Sequence, residues 1–289
     1  MHILVHGGAG GDPTEPIDRQ AVLDAAVDDG LATETPLDAV AAAVRRLEDS
    51  PRFNAGTGGT MQTDGVHRSD AGVMTSDGAI GAVCNVTGIQ NPVDLAVAVQ
   101  AHTPHILLGP AGALELAAHL GIDTDYDLST EQLAARFESE NVPGDFADQL
   151  AFVTERFDAP PESDERDTVG AVATDGETLA AATSTGGRWL ALMGRIGDVP
   201  QVGSGYYASP RGAVSTTGNG EGIAQVTLAR LVERHLHQGS GIERAVVDAM
   251  ATFERETDAT AGVIAIDADG AIATAYNSTR MQTAAGSSP

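Results

Sequence analysis

Asp167-Thr168-Val169-Gly170-Ala171-Val172-Ala173 is where the chain changes character. The stretch from about Glu138 to Asp167 is acidic and carries prolines, with PGD at 143–145 and DAPPESDERD at 158–167. Few of its residues could enter a core, so it reads as a water-exposed loop or linker. Beyond it, Thr168–Thr174 reads as a buried strand, Asp175–Gly176 as a hairpin turn and Thr178–Ser184 as the returning strand. A polar linker thus delivers a threonine to the head of a buried strand. A threonine hydroxyl is a poor nucleophile unless a base stands beside it. Cutting the backbone before Thr168 would supply that base, because a free α-amino group titrates near ~7.7–8.0. The plain alternative is a β-branched residue opening a strand, and the local sequence leaves both readings open.

Upstream of this stretch, His2–Val5 is expected as the first strand, running into a glycine turn at Gly7–Gly11. Asp18–Asp29 has helical patterning. Thr35 can cap a second helix, with Pro36 in its first turn and Leu37, Val40, Ala41, Val44 and Leu47 at helical spacing. A glycine-rich loop, Phe53–Gly59, follows. Val73–Met74 and Ile80–Val86 read as strands, and Pro92–His102, Ala111–Leu120 and Thr130–Phe137 as helices. Downstream, Ala213–Thr217 reads as a strand, and Ala224–His237 and Ile242–Glu254 as long helices. A last hairpin joins Gly262–Ile266 to Ala271–Ala275. Strands with helices packed on them, in two halves, suggest a layered α/β arrangement.

With 289 residues and 42% hydrophobic content the chain can bury a sizeable core, which excludes a disordered or disulfide-scaffold protein. No apolar run approaches the ~18–20 residues of a membrane span. The start, MHILVHGGAGG, lacks the pattern of a secretory signal, so a cytoplasmic location is expected. Cys84, the single cysteine, lies in AIGAVCNV and reads as a small buried hydrophobe. The net charge is −25, and all 16 basic residues are arginine. Such a field repels phosphate backbones, which argues against nucleic acid as a partner.

The remaining motifs form an ordered set: HGGAGG at 6–11, LEDSPRFNAGTGG at 47–59, DTVGAVA at 167–173, ATSTGG at 182–187, GRIGD at 194–198 and TTGNGE at 216–221. In that order, from about Ile3 to Asn277, the chain resembles the isoaspartyl peptidase/L-asparaginase family, the plant-type asparaginases among the N-terminal-nucleophile hydrolases. The resemblance implies an α+β fold, a four-layer αββα sandwich forming one domain over 1–289. It implies a precursor that cuts itself between Asp167 and Thr168 into fragments 1–167 and 168–289, and a dimer of such pairs. The implied substrates are small: L-asparagine and β-aspartyl dipeptides.

Carried over by position, the resemblance makes Thr168 the nucleophile and Thr185 its hydroxyl partner. Arg195 would hold the substrate α-carboxylate and Asp198 its α-ammonium, with Ile196 and Gly197 between them. Opposed charges suit a zwitterionic head, and a guanidinium can make two parallel hydrogen bonds to a carboxylate. Thr217 and Gly218 would form the oxyanion hole, with Asn219 and Gly220 completing the loop and Asn54 contacting the nucleophile's amine. No cofactor is implied for catalysis. A structural sodium ion is implied, on backbone carbonyls of Leu47, Glu48, Ser50, Phe53, Ala55 and Thr57; carbonyl cages suit hard cations.

Three positions depart from the family pattern. Asp167 replaces a common glycine and resembles glycosylasparaginases and the threonine-dependent endopeptidase branch. Arg188–Met193 is apolar and could shape the leaving-group side. Asn219 stands where threonine is common. Rival readings are a glycosylasparaginase, a serine esterase and an uncleaved binding protein. The esterase would take Ser184 as nucleophile in ATSTG, a near miss for GxSxG, with His235 or His237 as base. HGGAGG lacks both the GxGxxG and the GK[ST] phosphate-loop endings, and the histidines show no zinc spacing.

The acidic composition suggests adaptation to salt, because the Debye length falls to about 3 Å at 1 M and self-repulsion fades with it. The urea midpoint is therefore expected to rise between about 0.1 M and 1 M salt; a midpoint that stays level would remove the salt-adaptation reading.

Overall fold

In a computed structural model, residues 1–158 and 168–288 are described. The chain runs β1 (His2–Gly10), α1 (Pro16–Leu31), α2 (Pro36–Glu48), β2 (Ser69–Thr75), β3 (Ile80–Val86), α3 (Pro92–His102), α4 (Pro110–Leu120), α5 (Glu131–Ser139) and α6 (Phe146–Asp158). After residue 168 come β4 (Val169–Thr174), β5 (Leu179–Thr185), β6 (Tyr206–Ser209), β7 (Gly212–Gly218), α7 (Gly220–Val226), α8 (Leu228–His237), α9 (Ile242–Glu256), β8 (Ala261–Asp267), β9 (Ile272–Tyr276) and β10 (Arg280–Ser287). The fold is α+β. Two antiparallel sheets have the orders β10-β1-β4-β5-β2-β3 and β6-β7-β8-β9.

Strand parity explains the packing. Along β5, Ala180 and Ala182 join the core that α1, α2 and α3 cover, whereas Ala181 faces Val172, Tyr206, Ala213 and Ile264 between the sheets. Successive strand residues point to opposite faces. With both faces buried, a strand reads as a continuous apolar run. The outer face of the smaller sheet, with Val214, Val263 and Ala265, packs on α8 and α9 through Val232, Val246 and Phe253. Helix α2 begins as expected: Pro36 occupies its first turn and the Thr35 hydroxyl accepts from the Asp38 N–H.

Several boundaries differ from the sequence reading. Strand β1 continues through the glycines to Gly10, because Ala9 and Gly10 pair with Met281 and Arg280 after a register shift. The partner strand β10 carries small and polar residues and has no apolar alternation to announce it. The expected linker is largely helical up to Asp158. Asp145 Oδ1 accepts from the Ala147 N–H at the start of α6, and Gln149 is buried, accepting a hydrogen bond from the Thr63 hydroxyl. The rest of that linker, including Asp167, lies outside the described residues. The helix expected over Ala224–His237 is two helices, broken at Thr227 with φ +50°. In Arg188–Met193, Trp189 and Leu190 are fully buried and anchor Leu133, Phe137 and Phe152 of α5 and α6. Cys84 is buried and free. No helix among the described residues is long and apolar enough to cross a membrane.

The space between the sheets is filled tightly at Gly72, where an added Cβ would lie 2.0 Å from the Tyr206 ring. Gly72→Ala is expected to destabilise the fold by about 2 kcal/mol through overpacking. Gly144, with nothing within 4 Å, tolerates alanine within about 0.5 kcal/mol. Urea titrations of the two variants check the contrast.

Candidate active site

The facing surfaces of the sheets change chemistry in steps of two residues. Val172, Ala181 and Ala213 form part of the apolar floor. Two residues along the same faces come Gly170, Thr183 and Ser215, and two further come Thr168, Thr185 and Thr217. The register β4–β5 pairs Gly170 with Thr183, and the Thr168 hydroxyl donates to Thr185 Oγ1 at 3.2 Å. Both threonines are buried, as is Thr217, whose Oγ1 accepts the Ala9 N–H at 3.3 Å.

The middle layer is a polar relay that the sequence reading did not assign. His6 pairs with Gly170 across β1–β4 and is fully buried. Burial drives its imidazole down to about 3, against a smaller opposing effect of the Thr168 backbone, so the ring is neutral. Its partners fix the tautomer. The Gly8 N–H donates to Nδ1 at 3.3 Å, which leaves the proton on Nε2, 2.8 Å from Ser215 Oγ. Ser215 then donates to Thr183 Oγ1 at 2.8 Å, and Thr183 donates to the Gly205 carbonyl at 3.1 Å. Each hydroxyl donates once and accepts once. A Cβ at Gly170 would lie 2.0 Å from Ser215 Oγ and 2.5 Å from His6 Nε2, so only glycine leaves room for the relay.

Asn54 braces the end of β5. Its Nδ2 donates to the Gly187 carbonyl at 2.6 Å, its Oδ1 accepts the Thr60 N–H at 2.9 Å, and the Thr60 hydroxyl donates to the Gly186 carbonyl at 2.9 Å. The Gly187 N–H in turn donates to Thr185 Oγ1 at 3.0 Å. In the TTGNGE stretch, Gly218 has φ +130°, and a Cβ there would lie 2.4 Å from the Thr260 carbonyl oxygen. The Asn219 side chain caps α7, accepting the Gly222 N–H at 2.8 Å.

Arg195, Asp198 and Gly220 meet. A Cβ on Gly220 would lie 2.7 Å from Asp198 Oδ1 and 2.8 Å from Arg195 Nη2, and one on Gly197 would lie 2.8 Å from Arg195 Nη1. Ile196, between them, is exposed. The guanidinium is held bidentately by Glu221, with Nε and Nη2 each 2.9 Å from a carboxylate oxygen. Glu221 sits in the TTGNGE motif but was given no role from sequence. Burial pushes Asp198 up to about 7 against the attraction of Arg195, with Glu221 and Asp70 adding to the rise. Burial likewise raises Asp70 to about 6, opposed by the Asn85 N–H, Arg195 and the Gly197 N–H. Asp70 pairs with Thr185 across β2–β5, which brings a third carboxyl into the same electrostatic group. One guanidinium among three carboxyls leaves an excess of negative charge that an added ammonium would balance, and the guanidinium's fork can exchange one carboxylate for another.

Ser184, by contrast, lies on the other face of β5 from Thr183 and Thr185. It is fully buried towards Glu48, whose carboxyl burial raises well above the ordinary range. His235 and His237 lie on α8, which packs against the smaller sheet. The arrangement gives Ser184 neither an exposed hydroxyl nor one of these bases.

Comparison with known proteins agrees with this geometry. The family model described as asparaginase matches residues 1–289. The chain is 39% identical over 295 residues to an isoaspartyl peptidase/L-asparaginase of Bos taurus, covering 98% of this chain and 92% of the relative. It is 37% identical over 292 residues to the protein of the same name in Macaca fascicularis, with the same coverage. It is 40% identical over 290 residues to a plant-type L-asparaginase of Pyrobaculum calidifontis, covering 96% and 94%.

The Asp198 environment sets a pH dependence. Above about 7 the carboxylate is charged and attracts an ammonium; below it, protonation removes that charge while Arg195 keeps its own. Affinity for a zwitterionic amino acid such as L-aspartate is therefore expected to fall as pH drops through about 7, read by calorimetry. Asp198→Asn should flatten the profile at low affinity.

Proposed function

The chain belongs to the asparaginase family, and on that premise we propose that it is an isoaspartyl peptidase/L-asparaginase, a self-processing threonine hydrolase that releases L-aspartate from L-asparagine or β-aspartyl dipeptides. The observation that carries the reading is the buried hydroxyl pair of Thr168 and Thr185 at the head of β4 and the end of β5. The named relatives favour this activity over a glycosylasparaginase despite Asp167.

Two phases follow. In maturation, the Thr168 hydroxyl adds to the Asp167 carbonyl and the peptide nitrogen departs, converting the amide to an ester. Water hydrolyses the ester, freeing the Thr168 amine and the Asp167 carboxylate. Fragments 1–167 and 168–289 stay associated, since β4 and β5 lie between strands of the first fragment. In turnover, the freed amine takes the hydroxyl proton as Thr168 attacks the substrate's side-chain carbonyl. The negative charge that develops on oxygen meets the Thr217 hydroxyl and Gly218 N–H. Ammonia or an amine leaves with a proton, and water then cleaves the acyl-enzyme to L-aspartate. Arg195 and Asp198 hold the zwitterionic head, with Gly220 letting the backbone come close to both side chains. Holding the reacting groups in register can contribute ~7–11 kcal/mol to such a reaction.

The layered packing supports a four-layer αββα sandwich within one domain, and the family resemblance supports a dimer of cleaved pairs. The loop after α2 fits a structural sodium ion. Its backbone curls inward, so that a Cβ on Gly56 would lie 2.5 Å from the Glu48 carbonyl oxygen and one on Gly58 2.9 Å from that of Phe53. The buried Thr57 hydroxyl has no hydrogen-bond partner among the described residues. The carbonyls of Leu47, Glu48, Ser50, Phe53, Ala55 and Thr57 would hold the ion, which stiffens the loop bearing Asn54 and takes no part in the chemistry.

Denaturing electrophoresis of purified protein is expected to give two bands, the second starting at Thr168. Thr168→Ala should stay one chain without asparaginase activity. A wild-type chain that hydrolyses L-asparagine while wholly uncut would overturn the assignment.

A further inference from the structure

Arg195 stands in a stretch without helix or strand, residues 186–205 between β5 and β6. Leu190 within it has φ +56°, a left-handed conformation that a side-chain-bearing residue keeps only where its surroundings hold it. Backbone groups in such a stretch must find their partners elsewhere in the fold. The Leu190 N–H donates to the Met61 carbonyl at 2.9 Å, and the Ala191 carbonyl accepts the Thr63 N–H at 2.9 Å. The Met193 N–H donates to Thr63 Oγ1 at 3.2 Å and the Gly194 N–H to Gln62 Oε1 at 2.6 Å. Gln62 Nε2 donates to the Arg195 carbonyl at 3.2 Å, and Asn85 Nδ2 to the Gly194 carbonyl at 3.0 Å. The backbone leading to Arg195 is thus moulded on residues 61–63 and Asn85.

Thr63 has a second partner behind it. Its hydroxyl donates to Gln149 Oε1 at 3.0 Å. Gln149 Nε2 donates to the Pro143 carbonyl at 2.8 Å and, at 3.5 Å, to the Thr63 carbonyl. Thr63 and Gln149 are both buried. One hydroxyl therefore ties the backbone beside Arg195 to α6, which lies ahead of the expected cleavage point. Helix α6 is anchored a second time, by Phe152 packing against the cluster of Met61, Trp189 and Leu190. With its proton given to Gln149, the Thr63 hydroxyl keeps its lone pairs for the Met193 N–H; released from Gln149, it is free to rotate.

We propose that Gln149 is a positioning residue for substrate binding: through Thr63 it fixes the stretch that presents Arg195. The segment ahead of the cleavage point then acts, through α6, as a strut of the head pocket. The inference rests on the reading of Arg195 as the holder of the substrate α-carboxylate. Gln149 itself touches no substrate. Contacts to the head are made alike in the bound substrate and in the transition state, so loosening them raises KM and spares kcat.

The test uses matured protein and three variants. Gln149→Met keeps the length of the side chain and removes its polar atoms. Thr63→Val keeps the shape and removes the hydroxyl, and Thr63→Ser restores the hydroxyl. KM for L-asparagine is expected to rise about tenfold in Gln149→Met and in Thr63→Val, with kcat within about twofold of wild type. Thr63→Ser should stay close to wild type. Combining Gln149→Met with Thr63→Val should add little, because both break one chain of contacts. Either variant suffices should the other fail to fold. An unchanged KM in Gln149→Met overturns the strut even if its urea midpoint falls, since a merely structural bond acts on stability alone. A double variant whose KM is the product of the two single effects overturns it as well. Wild-type protein that turns over no L-asparagine sinks the proposed function instead. Amide hydrogen exchange by NMR, on the purified protein whether cut or uncut, then decides the strut. The Met193 amide is expected to exchange about tenfold faster in Gln149→Met, and an unchanged rate overturns the inference.

Discussion

Three strands converge at Gly170 so closely that one methyl group would displace either Ser215 or His6. That steric constraint holds the two sheets in register at the level just beneath the Thr168 hydroxyl. The relay from His6 through Ser215 and Thr183 to the Gly205 carbonyl crosses from one sheet to the other and ends in a satisfied acceptor. A buried polar chain of this kind is stabilising only when every member is paired. Its geometry is consequently narrow. Because residues two apart on a strand share a face, whatever fixes Gly170, Thr183 and Ser215 also fixes Thr168, Thr185 and Thr217. Thr217 and Thr168 come from different sheets, and the relay lies between them in the layer beneath.

The head pocket obeys a different logic. Arg195, Asp198 and Asp70, with the more exposed Glu221 beside them, bring together more negative than positive charge, and desolvation answers by raising the two enclosed acids. Such a pocket is incompletely compensated on its own, and an arriving ammonium relieves it. On the proposed reading, the carboxylate of the same ligand would replace Glu221 at the guanidinium fork, exchange accompanying addition. Strongly shifted acids beside a cation in a cleft are a common mark of a functional site, and here the shift follows from burial that the glycines at 197 and 220 make possible.

Much of this was legible in the sequence, for identifiable reasons. Strands β3, β4, β5 and β8 are apolar on both faces and stand out as runs; α2 carries its own cap and proline. That Thr168 would meet Thr185, and Arg195 meet Asp198, could be expected because short motifs occur in a fixed order. Strand β10 could not be read, since RMQTAAGS acquires strand geometry only by pairing with β1. Helix α6 was hidden by its acidic neighbours, and its fixed points, Gln149 against Thr63 and Phe152 against Trp189, are tertiary contacts. The break at Thr227 has no proline or glycine to announce it. The roles of His6, Ser215 and Thr183 were invisible for the same reason as β10: separated by up to 209 positions, they meet only when the sheets do.

Adjacent hydroxyls at 183, 184 and 185 show how far strand parity decides chemistry. All three side chains belong to one strand and all are buried. Thr185 faces the other sheet and meets the Thr168 hydroxyl; Thr183 faces the same way, one layer down, and closes the relay. Ser184 points to the helical side, towards Glu48, where desolvation favours the neutral carboxyl and no substrate could reach. Composition alone would rank the serine as the better nucleophile, being unbranched and less hindered. A shift of one residue in the register of β5 would exchange the two faces and put Ser184 in the layer of Thr168. The pairing of Gly170 with Thr183 therefore decides which hydroxyls face the other sheet, Thr183 and Thr185, and which faces the helices, Ser184.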